Sequence, residues 1–263
     1  MIINKQNRYK DAVVRKLLGL TYRLENVGVG DMRHSGEMSF IDGISTYYKG
    51  PIVFFDIGAN LGDYTEALKK KRNNSSDQYH LFEPQKKCIE TLKSKSQASN
   101  NVVLNNIGLS DKQGEATIYK DSEKSGLTSL YKRNLDYYKL KMDIEEKIIL
   151  DTAENYIRKS GVKKINLVKI DVEGNEIKTL HGFGEYLNGD FIDFIQFEYG
   201  GANIDSHTNL LDFYNLLEPK GFTICKIMKK HLEHREYDPR LENFICQNYV
   251  AVSNTIFGSL VTK

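Results

Sequence analysis

The chain has 263 residues, which suits one large α/β domain or a domain with a sizeable appendage. Hydrophobic residues make up 40% and charged residues 27%, so a packed core is expected and wholesale disorder is excluded. A formal net charge of +2 is too small to argue for a nucleic-acid partner.

Cys88, Cys225 and Cys246 show no paired spacing, which fits a reducing cytoplasm and argues against a disulfide framework or a cysteine-based zinc site. No apolar run approaches the ~20 residues of a membrane span, and no signal-like hydrophobic stretch opens the chain. A soluble cytoplasmic protein is expected.

Residues 1–50 read as a helical cap. Val13, Leu17, Leu20 and Leu24 fall at helical spacing with basic residues between them, and "GEMSFIDGISTYYKG" forms a second helical pattern ahead of Pro51. The basic face from Lys5 to Arg23 reads as a solvated helix face in preference to a nucleotide or phosphate contact. From Pro51 to residue 263, strand-like and helix-like segments alternate, as in a parallel sheet. "IVFFD" is a buried strand and "YTEALKKK" its helix; "QYHLFEP" is a second strand, followed by the helix "KKCIETLKSK". "NVVLNNIGL" is the third, with a hairpin turn at "DKQG" returning through "EATIY". "INLVKID" and "FIDFIQFEY" are strands flanking a helix that begins near Asn175, and "GFTICKIM" with "FICQNYVAVS" makes a closing hairpin across an irregular loop. Residues 120–146, poor in periodicity and rich in Tyr, Lys and Asp, read as a lid.

The stretch "VFFDIGANLGDY" carries the first chemistry. Ligands of open α/β sheets bind beyond the carboxyl ends of the strands, where Gly58 and Gly62 permit a sharp turn and the next helix offers free N–H groups. Asn60 stands where a dinucleotide fingerprint has its middle glycine, and Asp56 would repel a pyrophosphate. A ligand with both cationic groups and a carboxylate suits the turn better, and S-adenosylmethionine is one; the bland alternative is that Asp56 caps the following helix. Glu83 ends the second strand, where an acid accepts hydrogen bonds from ribose hydroxyls, and Pro84 stops that strand. Asn106, Ile107 and Gly108 at the third strand's end are placed beside the adenine.

Asp171, Glu173 and Glu176 follow the fourth strand in "VKIDVEGNE", and Glu198 closes its neighbour in "IQFEYG". Glu176 reads as a complement to the helix dipole. Asp171 and Glu198 on adjacent strand ends could chelate Mg²⁺, or remove a proton from a hydroxyl and steady a sulfonium.

"FFDIGANLG", "LFEP", "GLSDKQGEATIY", "VKIDVEGNE" and "IQFEY", in this order and spacing, resemble the FkbM family of S-adenosylmethionine-dependent methyltransferases over about residues 34–252. The resemblance implies the class I fold, with a seven-stranded, mostly parallel sheet whose last strand is antiparallel. It implies O-methylation of sugars or natural-product hydroxyls, with a metal requirement that varies among members. It matches Asp56, Gly58, Asn60 and Gly62 to the cofactor turn and Glu83 to the ribose. It takes in the "SGE" at 35–37, which adds Glu37 to the cofactor contacts, and it matches Asp171 and Glu173 to the fourth-strand motif, Glu173 facing the substrate.

The absence of an Asn/Asp-Pro-Pro-aromatic run counts against methylation of base amino groups, and the absence of Pro-Cys against cysteine addition to pyrimidines. The segment "KKHLEHREYDPRLEN" is expected at the cofactor end of the sheet. There His231, His234, Arg235 and Arg240 reach for an acidic handle such as a nucleotide diphosphate, unless they are surface residues without a role. His207 is a candidate base and His80 a core residue. Tyr131, Arg133 and Tyr137 on the lid are available to a sugar face or phosphate, and Ser125–Leu130 enters from the adenine side. The leading expectation is methylation of a nucleotide-linked sugar for a surface polysaccharide. The competitors are a non-sugar O-methyltransferase, an NAD-dependent dehydrogenase and a non-catalytic cofactor-binding module.

Overall fold

The computed structural model describes residues 8–97 and 99–261; Lys5, the start of the expected basic face, lies outside them. Two helices come first, α1 (Arg8–Leu24) and α2 (Glu37–Tyr47). Then β1 (Val53–Ile57), α3 (Asp63–Arg72), β2 (Gln78–Phe82), α4 (Lys86–Ser96) and β3 (Val102–Asn105) alternate. β4 (Gly108–Leu109), β5 (Gly114–Lys120) and β6 (Ile144–Asp151) build a small second sheet. The chain returns through α5 (Ala153–Ser160), β7 (Ile165–Ile170), α6 (Glu176–His181) and β8 (Ile192–Tyr199). It closes with α7 (Ala202–Ser206), α8 (Leu210–Leu217), β9 (Phe222–Ile227), β10 (Leu232–His234), β11 (Gln247–Ser253) and α9 (Asn254–Leu260).

The large sheet has the order β10-β9-β11-β8-β7-β1-β2-β3. β3, β2, β1, β7 and β8 are parallel, and β11 runs antiparallel between β8 and β9. This is the class I methyltransferase arrangement, with β10 added on its outer edge. Successive side chains of a strand leave on opposite faces, so the register aligns two apolar rows across the sheet. Phe54, Leu167 and Phe194 stand in one row and Phe55, Val168 and Ile195 in the other, each in its own core cluster. The apolar spacing of α8 buries Leu210, Phe213, Tyr214 and Leu217, and its N-terminus is closed by a capping box of Asn209 and Asp212.

α2 is part of the core: Phe40, Ile41 and Ile44 are buried, and the Phe40 ring meets Phe194 edge-on at 6.0 Å. α1 buries none of its residues. Among the described residues no helix is long and apolar enough to cross a membrane.

Two connections differ from the sequence reading. "EATIY" does not fold back on the third strand; β6 intervenes, pairing parallel with β4 and antiparallel with β5. β6 was hidden because charged residues interrupt it: "IEEKIILD" is apolar on both faces only near its end. The loop of the closing hairpin also contains a strand, since β10 turns back to pair with β9.

Candidate active site

The turn after β1 can be made by few residues. Gly58 has φ +82°, and a Cβ there would lie 1.9 Å from the backbone oxygen of Asp171. No side chain fits that contact, because neither backbone can yield. Asn60, at the position of the missing glycine, adopts φ 47°, a left-handed conformation that asparagine tolerates. Its backbone N–H donates to Glu83 Oε2 at 2.8 Å, and the Gln85 N–H donates to Glu83 Oε1 at 2.8 Å. Burial pushes the Glu83 carboxyl up to about 7 even though both of these N–H groups favour its charged form. Asn106 donates to the backbone oxygens of Glu83 and Pro84, bracing the strand end from behind.

A second group of charges gathers one layer away. Asp56 is 1% exposed; its Oδ2 accepts from Thr65 Oγ1 at 2.5 Å, and its Oδ1 has no partner. Burial raises its pKa against the pull of Lys169 and Thr65. The Lys169 ammonium sits 2.7 Å from Asp171 Oδ2 and 5.4 Å over the Tyr64 ring. Desolvation alone would discharge Lys169, but the charges of Asp171, Asp56 and Glu37 overcome it and raise its pKa. Glu37 accepts from Ser35 Oγ at 2.8 Å and from Gln196 Nε2 at 2.7 Å, while Gln196 Oε1 accepts from the Tyr64 hydroxyl at 2.6 Å.

Two clefts open on these groups, and they share Gly58, Asn60 and Asp171. The first lies between Glu83, Pro84 and Gly108 on one side and Ser125, Gly126 and Thr128 on the other. The second, about 770 Å³, is walled by Glu37, Asp56, Tyr64 and Lys169. Residues 125–133 are fastened across the first cleft. Ser129 Oγ donates to the Glu173 backbone oxygen at 2.6 Å, and Gln85 Nε2 donates to the Ser125 oxygen at 3.2 Å. The Arg133 guanidinium bonds Glu173 at 2.7 Å and Asp205 at 3.1 Å.

The carboxylate of Glu176 folds back to accept from the N–H groups of Val172 and Gly174, holding the turn that presents Asp171. Gly62 (φ +81°) keeps α3 close to Leu92 of α4. Burial, then the charges of Asp171, Glu173 and Glu176, push the Glu198 carboxyl well above the carboxylate range.

The structure therefore brings Glu37, Asp56, Gly58, Asn60, Glu83, Pro84, Gly108, Asp171 and Glu173 to the clefts. Other expected positions fall elsewhere. Arg133 is consumed by two carboxylates, so its charge is not open to a substrate phosphate. Tyr131 packs under the Lys178 ammonium at 5.4 Å, outside the lining of both clefts.

Glu198 and His207 also lie outside both linings, and His207 closes the end of α7 with φ 55°. His231 lines a separate groove with Phe40 and Leu232, and His234 stacks edge-on against Phe257. Arg235 and Arg240 line a third groove beside α1, Arg235 bonded to Glu25 and Glu233 and Arg240 to Asp238. The segment does leave β9 at the cofactor end of the sheet, as expected, but β10 doubles back along the outer edge, so these side chains line grooves other than the two clefts. Magnesium, one of the two expected uses of Asp171 with Glu198, gains no support: Lys169 covers Asp171 Oδ2, and no metal-ligand cluster of three exists among the described residues.

Lys169, Gln196, Tyr64 and Thr65 escaped the sequence reading. A lysine and a glutamine inside the apolar runs "LVKID" and "FIQFE" were the available signal, because a buried polar group in a central strand needs a partner.

Residues 56–237 match the methyltransferase FkbM domain. The chain belongs to this family. Methyltransferase 1 of Beauveria bassiana (strain ARSEF 2860) is 25% identical over 186 residues, which cover 65% of this chain and 72% of that protein. The solved methyltransferase FkbM from Methylobacillus flagellatus KT is 14% identical with a TM-score of 0.48, over 91% of this chain and 60% of that one. Magnesium protoporphyrin IX methyltransferase from Synechocystis PCC 6803, solved with bound S-adenosylmethionine, is 11% identical with a TM-score of 0.44, over 95% of this chain and 100% of that one.

An FkbM methyltransferase draws its methyl group from S-adenosylmethionine, and the residues present fit that molecule. The orphaned Asp56 Oδ1 is a buried anionic acceptor for an ammonium, and Glu83 is a fixed carboxylate for two hydroxyls.

Proposed function

We propose that this FkbM methyltransferase transfers a methyl group to a hydroxyl of a carbohydrate, as carried on a nucleotide-linked sugar for a surface polysaccharide, in the cytoplasm. The observation that carries this reading is Asp171, which lines both clefts and has Lys169 bonded to one of its carboxylate oxygens.

S-adenosylmethionine, when bound, supplies a methyl group already activated on sulfur. Glu83 holds the ribose, the first cleft encloses the adenine, and Asp56 with Glu37 receives the ammonium. Asp171 takes the proton of the acceptor hydroxyl, and Lys169 fixes the rotamer in which it does so. Arg33 and Lys124, which line the second cleft, supply positive charge for a phosphate handle in place of the cations of residues 229–243. Residues 120–146 act as a lid that excludes water from the first cleft, latched by Arg133.

The test is transfer of radiolabelled methyl from S-adenosylmethionine to a panel of nucleotide sugars, with and without chelator. Label should appear in a base-stable ether on a sugar, insensitive to chelator. Asp171→Ala should lower turnover about 10²- to 10⁴-fold while adenosylhomocysteine binding stays within about tenfold. Label on nitrogen or carbon, or unchanged turnover by Asp171→Ala, would overturn the reading.

A further inference from the structure

An amphipathic helix on a globular protein normally turns its apolar stripe inward. α1 does the opposite. Val13, Leu17, Leu20 and Leu24 fall on one stripe at about 100° per residue, and they are 42%, 61%, 57% and 68% exposed. The more sheltered residues of the helix, Asp11, Gly19 and Tyr22, lie on the other side.

The helix is held to the body at its carboxyl end. Glu25 bonds Arg235 at 2.9 Å, and Asn26 donates to the Ile227 oxygen at 2.9 Å. The stripe therefore points to solvent along a helix ~25 Å long.

The charge pattern selects what covers it. α1 carries five basic residues, Arg8, Lys10, Arg15, Lys16 and Arg23, against one acid, Asp11. Lys16 and Arg23 border the stripe, and with Arg15 they have no carboxylate partner among the described residues. Basic residues elsewhere are commonly paired, as Arg72 is with Asp77 and Arg158 with Glu154 and Glu185. An apolar stripe edged by unpaired cations matches an anionic bilayer surface, where the apolar side chains enter the headgroup boundary and the cations meet lipid phosphates. A second copy of this chain fits worse, because stripe-to-stripe packing would bring the flanking cations of two helices together as they lose water.

We propose that α1 is an interfacial anchor that seats this protein on an anionic membrane surface without spanning it.

The experiment is co-sedimentation of the full-length protein with vesicles, either of phosphatidylcholine alone or of phosphatidylcholine mixed with phosphatidylglycerol. Binding is expected to the mixed vesicles and not to the neutral ones, and it should weaken with salt. Lys16→Gln with Arg23→Gln should lower the partition coefficient by about 25-fold, at about fivefold per cation. Leu17→Glu with Leu20→Glu should abolish binding, with thermal melting and far-ultraviolet circular dichroism unchanged because both positions are exposed. Absence of wild-type binding to the anionic vesicles would overturn the proposal, as would equal binding to both vesicle types. So would a solution dimer, seen by sedimentation equilibrium, that the leucine substitutions dissociate.

Discussion

The tips of β1, β2 and β7 and the segment from residue 229 to 243 both looked like binding sites in the sequence, one for its glycines and acids, the other for its histidines and arginines. At the strand tips several polar groups are bound to residues far away in the chain: Asn60 to Glu83, Tyr64 to Gln196, and Gln196 to Glu37. In residues 229–243 Arg240 is answered by Asp238 close by, and Arg235 is shared between Glu233 and the distant Glu25. Cations already matched by carboxylates leave little net charge for an acidic ligand. The strand tips retain an unpartnered carboxylate oxygen, Asp56 Oδ1, on a residue that lines the second cleft.

The sharpest way to break this contrast is Gly58→Ala. The added methyl would collide with the Asp171 backbone at a left-handed φ, a cost of about 3 kcal/mol or more. Calorimetry should show adenosylhomocysteine binding lost, together with a large drop in melting temperature; retained binding would mean the turn is less constrained than its contacts imply.

Lys169→Met comes next. It removes the cation shared by Asp56, Asp171 and Glu37 and should destabilise the fold by about 3 kcal/mol. The loss should be greater at mildly alkaline than at acid pH, since Asp56, whose carboxyl burial already pushes up against the pull of Lys169, would then take up a proton more readily. Thermal melts at the two pH values test this, and equal losses would show that the three acids do not depend on Lys169.

A subtler test concerns Glu83, whose pKa is raised by burial from 4.5 to about 7. Between these values the folded chain keeps a proton that the unfolded chain has released, so stability without ligand falls as pH rises through the window. Ribose hydroxyls donate to the ionised form, so adenosylhomocysteine affinity should rise as pH passes about 7. Titration calorimetry against pH should show this slope in the wild type and lose it in Glu83→Gln.

The smallest effect is expected where the two regions differ most. Arg240→Ala and His207→Ala alter exposed side chains away from both clefts, and each should change stability by no more than about 0.5 kcal/mol, with turnover unchanged. A marked loss of turnover in Arg240→Ala would return residues 229–243 to the site.

The sequence alone determined the alternation of strand and helix from Pro51 onward, the glycine turn after β1 and the acids at the tips of β2 and β7. These are local matters: apolar runs that must be buried, a turn that requires positive φ, and polar residues stranded at the ends of buried strands. Only the tertiary structure decided that β6 separates β4 from β5, that β10 doubles back along the sheet edge so that the cations of residues 229–243 line other grooves, and that Lys169 sits within the field of Asp56 and Glu37 as well as Asp171. Strand pairing and charge neutralisation depend on distances between residues far apart in the chain, and those distances exist only once the sheet has closed.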